Sequence, residues 1–144
     1  MTSPITCTLG TDCTFANWGQ VGTLPAGVTA TGDVNASYTP NNWYIAVRGS
    51  NEKVYYVYVF GLQYAPWVGI NNLVTDTSPA VAYNPVDGKV WIAAKEKTTG
   101  IIKRTRATFA SYEAWVQVGA TPYPSTGAWG KPPAMVSDGS VMPR

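Results

Sequence analysis

Apolar residues in this chain come in short clusters separated by Gly, Pro, Asn, Asp and Ser, and the clusters recur at a fixed spacing. Ile5–Leu9 reads as a strand, Gly10–Asp12 as a turn and Cys13–Val21 as a second strand. Residues 23–31 form a connection. A full unit follows, with strands at Val34–Tyr38, Trp43–Arg48, Lys53–Phe60 and Tyr64–Ile70 and turns at Thr39–Asn42 and Gly49–Glu52. The next unit places strands at Ala80–Tyr83, Val90–Lys95, Ile101–Ala107 and Glu113–Val118. Its turns are Asn84–Gly88 and Lys97–Gly100. Beyond a Pro-, Gly- and Ser-rich connection through Gly130, Pro133–Val136 and Asp138–Val141 resemble a first strand and the opening of a second. No window of helical period runs longer than about two turns.

The repeat is anchored on tryptophan. Trp18-Gly19-Gln20-Val21-Gly22 returns as Trp67-Val68-Gly69-Ile70-Asn71 and again as Trp115-Val116-Gln117-Val118-Gly119, at separations of 49 and 48 residues. The match extends upstream without a gap, so Ile5, Val54 and Ile102 align, as do Phe15, Tyr64 and Tyr112. Tyr44-Ile45-Ala46 aligns with Trp91-Ile92-Ala93 at an offset of 47. A repeat of this length, built of strand-like segments with a tryptophan at a set place, predicts an all-β chain of four-stranded antiparallel β-propeller blades. Val54–Phe60 is apolar on both faces, as expected of a blade packed by neighbours on both sides.

Four segments of one domain then follow. Residues 5–22 are the C-terminal half of a blade, 32–70 and 78–119 are full blades, and 131–144 are the N-terminal half of another. That is about three blades' worth of strands, whereas propellers typically have at least four. Oligomerisation, with a dimer as the first choice, is expected to close the ring by pairing the half-blades of different copies, which also covers their open edges; the other reading is that the units belong to a longer propeller or that the open edges dock on another protein.

Composition narrows the function classes. Charged residues make up 12% and aromatics 12%, the reverse of a disordered chain. A net charge of +2 is too weak to imply nucleic acid. No apolar run approaches the roughly 18 residues of a membrane helix, and no secretory signal is visible at Met1-Thr2-Ser3-Pro4. The chain has no histidine, the commonest general base and metal ligand, and only two cysteines, Cys7 and Cys13. A cross-strand disulfide and a pair of free thiols are both open to them. No nucleophile–base pair, phosphate loop or metal-ligand spacing appears, so no catalytic residue, metal or cofactor is expected.

Ser78–Ala82, Asp87-Gly88-Lys89-Val90-Trp91 and Glu113–Gly119 resemble one blade of the bacterial propeller lectins that bind fucose and related sugars. Tyr44–Tyr55 resembles that family's second strand, Arg-Gly turn and third strand. The resemblance covers most of residues 5–142 and departs at Ala94-Lys95-Glu96, which stands where the other unit has Val47-Arg48-Gly49. It implies a non-enzymatic, multivalent carbohydrate-binding propeller with glycans as partners. The other reading is a structural or interaction module, such as a virion surface or fibre-associated protein docking on a protein partner. An extracellular or virion-associated location suits either.

Candidate ligand contacts follow from chemistry. The repeated Trp18, Trp67 and Trp115 suit wedges between blades better than sugar platforms. Trp43, Trp91 and Trp129 lie at turns or connections and are better placed to stack on a sugar. Arg48, Asn51 and Glu52 surround a turn and carry groups suited to hydroxyls. In the basic run Lys103-Arg104-Thr105-Arg106, the two arginines share one strand face.

Overall fold

A computed structural model describes residues 19–119. The strands expected over 5–18 and 131–144, together with Cys7, Cys13 and Trp129, lie outside the described residues. Among the described residues the chain is all-β, with two antiparallel sheets. None of its elements is a helix, so no helix is long and apolar enough to cross a membrane. The first sheet comprises β1 (Ala30–Tyr38), β2 (Trp43–Gly49), β3 (Val54–Phe60), β4 (Gln63–Tyr64) and β5 (Val68–Ile70), the last two both pairing with β3. The second repeats the pattern with β6 (Ala80–Asn84), β7 (Lys89–Lys95), β8 (Ile102–Thr108), β9 (Ser111–Tyr112) and β10 (Val116–Gln117).

Most strand ends fall within a residue of the sequence pattern, and two differences are larger. The first strand begins at Ala30, inside the expected connection, and carries a register shift between Thr31 and Asn35. Gly32 supplies the left-handed backbone (φ 76°) there, and the Asp33 N–H donates to Ser78 Oγ at 2.8 Å. The fourth strand is in two pieces in both sheets, with the repeated tryptophan the last residue of the break, and in the second sheet the first piece, Ser111–Tyr112, precedes the expected Glu113–Val118. Ala65 N–H still donates to Tyr58 O (2.8 Å) and Glu113 N–H to Arg106 O (2.9 Å), so the break interrupts the ladder without undoing it.

The two sheets stack front to back. Tyr44, Ala46, Val54 and Tyr56 of the first sheet form one core with Val81, Val90, Ile92, Ala94 and Ala107 of the second. Tyr44-Ile45-Ala46 aligns with Trp91-Ile92-Ala93, so the counterpart of Ile92 is Ile45, which points to the other face of the first sheet. The sheets therefore repeat by a rotation and shift in one direction. A face-to-face sandwich would bring equivalent faces together. Val54–Val57 are all buried, so β3 is covered on both sides as its sequence suggested.

Polar ties repeat at each junction. The Trp115 indole N–H donates to Asn71 O at 2.9 Å, and the Trp67 indole N–H donates to Val21 O at 2.7 Å. Each tryptophan thus fastens its own unit to the end of the preceding one. Tyr112 OH accepts from Asn71 Nδ2 (3.2 Å), while at the matching position Gly22 leaves room for the Tyr64 and Trp67 rings, each 3.3 Å from where a Cβ would stand. Between the sheets, the Phe109 N–H donates to Tyr44 OH (3.0 Å) and Tyr56 OH donates to Ser111 O (3.1 Å). Burial raises both phenol pKa values, so both rings keep their protons at any ordinary pH.

Ile92 is fully buried at the centre of this contact. Ile92→Ala is expected to cost about 2–5 kcal/mol in urea unfolding, as for other large-to-small changes in a core. Because the residue belongs to a core shared by both sheets, tyrosine and tryptophan fluorescence should lose their transitions together.

Candidate functional site

The second sheet carries a charged face on the side away from the first. The pairing of β7 with β8 sets Trp91 opposite Arg106 and Ala93 opposite Arg104, and the Glu113 backbone lies across from Arg106. The Arg104 guanidinium lies 4.2 Å from the Trp91 ring centroid, a cation–π contact. Trp91 Nε1 donates to Asp87 Oδ2 (3.0 Å), and Asp87 Oδ1 accepts the Lys89 N–H (3.0 Å), which closes the turn between β6 and β7. Arg106 Nη1 approaches Asp87 Oδ2 at 3.6 Å.

A cavity of about 190 Å³ opens beside this row, lined by Lys89, Arg106, Thr108, Ser111, Tyr112 and Glu113. Glu113 organises it. Its Oε1 accepts from Lys89 Nζ (2.6 Å) and its Oε2 from Arg106 Nε (2.6 Å). These bonds, the lysine's first, hold the Glu113 carboxyl below the ordinary carboxylate range, and the same contact raises Arg106. The hydroxyls of Thr108 and Ser111 are 3.1 Å apart on the rim. The result is a small cleft with fixed ionic acceptors and donors, two hydroxyls and one aromatic ring. Such a set fits a neutral, hydroxyl-bearing ligand.

Among the described residues, the candidates read from the sequence do not converge on one place. Trp43 is exposed and tilted against Tyr38, ring centroids 4.9 Å apart, on the first sheet. Arg48 Nη1 donates to Asp76 O (3.0 Å), and Lys95 at the equivalent position pairs with the Asp76 carboxylate (3.1 Å). Asn51 Nδ2 donates to Tyr55 OH (2.9 Å). Glu52 holds a left-handed backbone (φ 64°), accepts the Thr75 N–H and pairs with Lys97. Arg48, Asn51 and Glu52 therefore have structural partners within the fold. Of the candidates among the described residues, Trp91 stands on the charged face, next to the cleft residue Arg106.

The departure at Lys95-Glu96 has a packing explanation. In the first sheet the Tyr55 ring lies across Gly49 and Gly69, where added Cβ atoms would come within 2.7 and 2.9 Å of it. In the second unit Glu96 replaces Gly49 and Lys103 replaces Tyr55, and Lys103 Nζ bonds Glu96 Oε1 at 2.7 Å. An ion pair has replaced a ring on a glycine shelf, and both members changed together.

Lys89, Thr108, Ser111, Tyr112 and Glu113 were not singled out as site residues from sequence. One signal pointed to them: the second unit has Arg106 and Thr108 where the first has the aromatic Tyr58 and Phe60. A row that is apolar in one unit and polar in the next marks a changed use of that surface.

No family model, curated protein or solved structure matches this chain.

The ion pairs give a testable pH dependence. The Glu96 carboxyl is also lowered, through the bond from Lys103 first and that from Thr99 second. A lowered folded-state pKa adds stability that is complete above the unfolded value near 4.5 and is lost as pH falls through the folded value. The urea midpoint should therefore be level from pH 8 to about 5 and fall below that. The double variant Glu96→Gln, Glu113→Gln should start only slightly lower at neutral pH, because water screens these pairs, and show a shallower acid fall.

Proposed function

We propose that this protein is a non-enzymatic carbohydrate-binding module whose two sheets act as successive blades of a propeller. The observation that carries the reading is the cleft around Glu113. It combines a carboxylate fixed between Lys89 and Arg106, two rim hydroxyls and the Tyr112 ring in about 190 Å³. That volume is below the roughly 300 Å³ where drug-sized pockets begin, which suits a single sugar ring. The carboxylate accepts hydroxyl protons, the cations donate to ring or hydroxyl oxygens, and an aromatic ring takes a sugar's C–H face. The front-to-back stacking and the repeated Trp67 and Trp115 ties support the blade reading.

The same geometry argues against glycoside hydrolysis. That reaction needs a carboxylic acid kept protonated near neutral pH beside a second carboxylate. Among the described residues Glu113 is the one carboxyl lining the cleft, and two cations hold it ionised. Each site would bind weakly, and repetition within an assembly would supply avidity. An extracellular or virion-associated setting, where glycans are displayed, fits this use.

The test is a glycan array followed by calorimetric titration of the best monosaccharide. Binding is expected at about millimolar Kd per site, near −4 kcal/mol. Glu113→Gln should weaken it at least ten-fold with an unchanged circular dichroism spectrum. Absence of binding to any array glycan, or full binding by Glu113→Gln, would sink the reading.

A further inference from the structure

We infer that the outward face of the second sheet is a docking surface for residues 5–22 of a second copy of this chain. The face is the repeat counterpart of a covered one. The side of the first sheet bearing Tyr44, Tyr56 and Tyr58 receives the second sheet. Its counterparts on the second sheet are Trp91, Arg104 and Arg106, which face away from the first sheet and are half-buried.

The contacts at the covered junction define what an incoming unit must offer. The tip residue Phe109 packs against Tyr58 (ring centroids 5.2 Å) and Phe60 (6.4 Å). Tyr56 OH donates to Ser111 O, Tyr112 OH meets the Asn71 side chain, and the Trp115 indole donates to Asn71 O. On the second sheet the receiving positions have become Arg106 for Tyr58, Thr108 for Phe60, Arg104 for Tyr56 and Gly119 for Asn71.

The segment 5–22 changes in step. By the gap-free alignment its residues matching Phe109, Ser111, Tyr112 and Trp115 are Asp12, Thr14, Phe15 and Trp18. An aromatic tip on an aromatic row thus becomes an acidic tip on a face where Lys89, Arg104 and Arg106 stand against Asp87 and Glu113, leaving one positive charge in excess. Arg104 replaces Tyr56 as a donor toward a backbone carbonyl. Opposite Gly119 the incoming ring is Phe15, which needs no side-chain partner there. The tryptophan, whose partner is a backbone carbonyl, is kept. The changes at the tip and at Arg104 therefore point to one occupant, and the Phe15 and Trp18 positions are compatible with it.

That occupant must come from another copy. Val21 of the same chain is tied to Trp67 on the first sheet. Trp18 is three residues away, a reach of about 10 Å. The outward face of the second sheet lies about two sheet spacings distant, roughly 20 Å. The inference concerns packing and holds whatever ligand the cleft takes.

The experiment uses the full chain with Cys7→Ser and Cys13→Ser as background. One preparation carries Asp12→Cys and another Thr108→Cys, an exposed position. The two are mixed, oxidised and run on a non-reducing gel, with Val34→Cys, also exposed, in place of Thr108→Cys as control. A dimer band from the first mixture and none from the control is expected. Light scattering of the parent chain should give more than one copy, and Asp12→Lys should weaken association about ten-fold, the loss of one charge-assisted contact. A parent that stays monomeric at 100 µM overturns the inference. So does an oligomer that neither forms the Asp12–Thr108 crosslink nor responds to Asp12→Lys, because its interface then lies elsewhere. Sugar binding is not read in any arm, so this result and that of the glycan titration fail independently.

Discussion

Everything in this chain depends on one packing contact, the tyrosine-rich front of one sheet against the aliphatic back of the next. Tyr44 and Tyr56 are buried there with Val90, Ile92 and Ala94 opposite. Rings of that size cover a broad apolar area, but their hydroxyls cannot be left unpaired in a dry interface. Both reach backbone at the tip of the second sheet, at Phe109 and Ser111. The same two side chains therefore supply the burial and set the register of one sheet on the other.

A stack of this kind passes its requirements along the chain. Each unit must have a back that fits the front before it and a front that fits the back after it. Where one member changes, its partner changes with it. Gly49 with Tyr55 in the first unit becomes Glu96 with Lys103 in the second, a ring on a backbone shelf giving way to an ion pair. The tryptophan tie persists because its acceptor is a carbonyl, which no substitution can remove. This is why Trp67 and Trp115 serve the framework, while Trp91, whose ring carries Arg104 and whose N–H reaches Asp87, stands on the charged face.

Charge is scarce in this chain, and the second sheet gathers much of it. Lys89, Arg104, Arg106, Asp87 and Glu113 converge on one face, where the matching positions of β3 are Tyr56 and Tyr58. Exposed ion pairs of this sort add little to stability, because water and salt screen them. Together they present a fixed carboxylate flanked by fixed cations, with directional acceptors and donors already in place.

The sequence by itself determined the period, the order of the strands and their apolar character on both faces. Those properties are local: a strand shows itself in a run of residues, and a repeat in the return of Trp, Gly and aromatic positions at a set distance. It also determined that Arg104 and Arg106 share a face, since alternation along a strand requires it. Only the tertiary structure decided that Arg48, Asn51 and Glu52 are occupied by partners in the fold, because Asp76, Tyr55 and Lys97 reach them through turns whose geometry no strand pattern specifies. Only it brought Lys89, Arg106 and Glu113 together, from two strands and the segment after a third, through a cross-strand register that pairs residues distant in sequence. Front-to-back stacking was undetermined for the same reason: a strand apolar on both faces can pack on either one, and the choice rests on how whole faces fit.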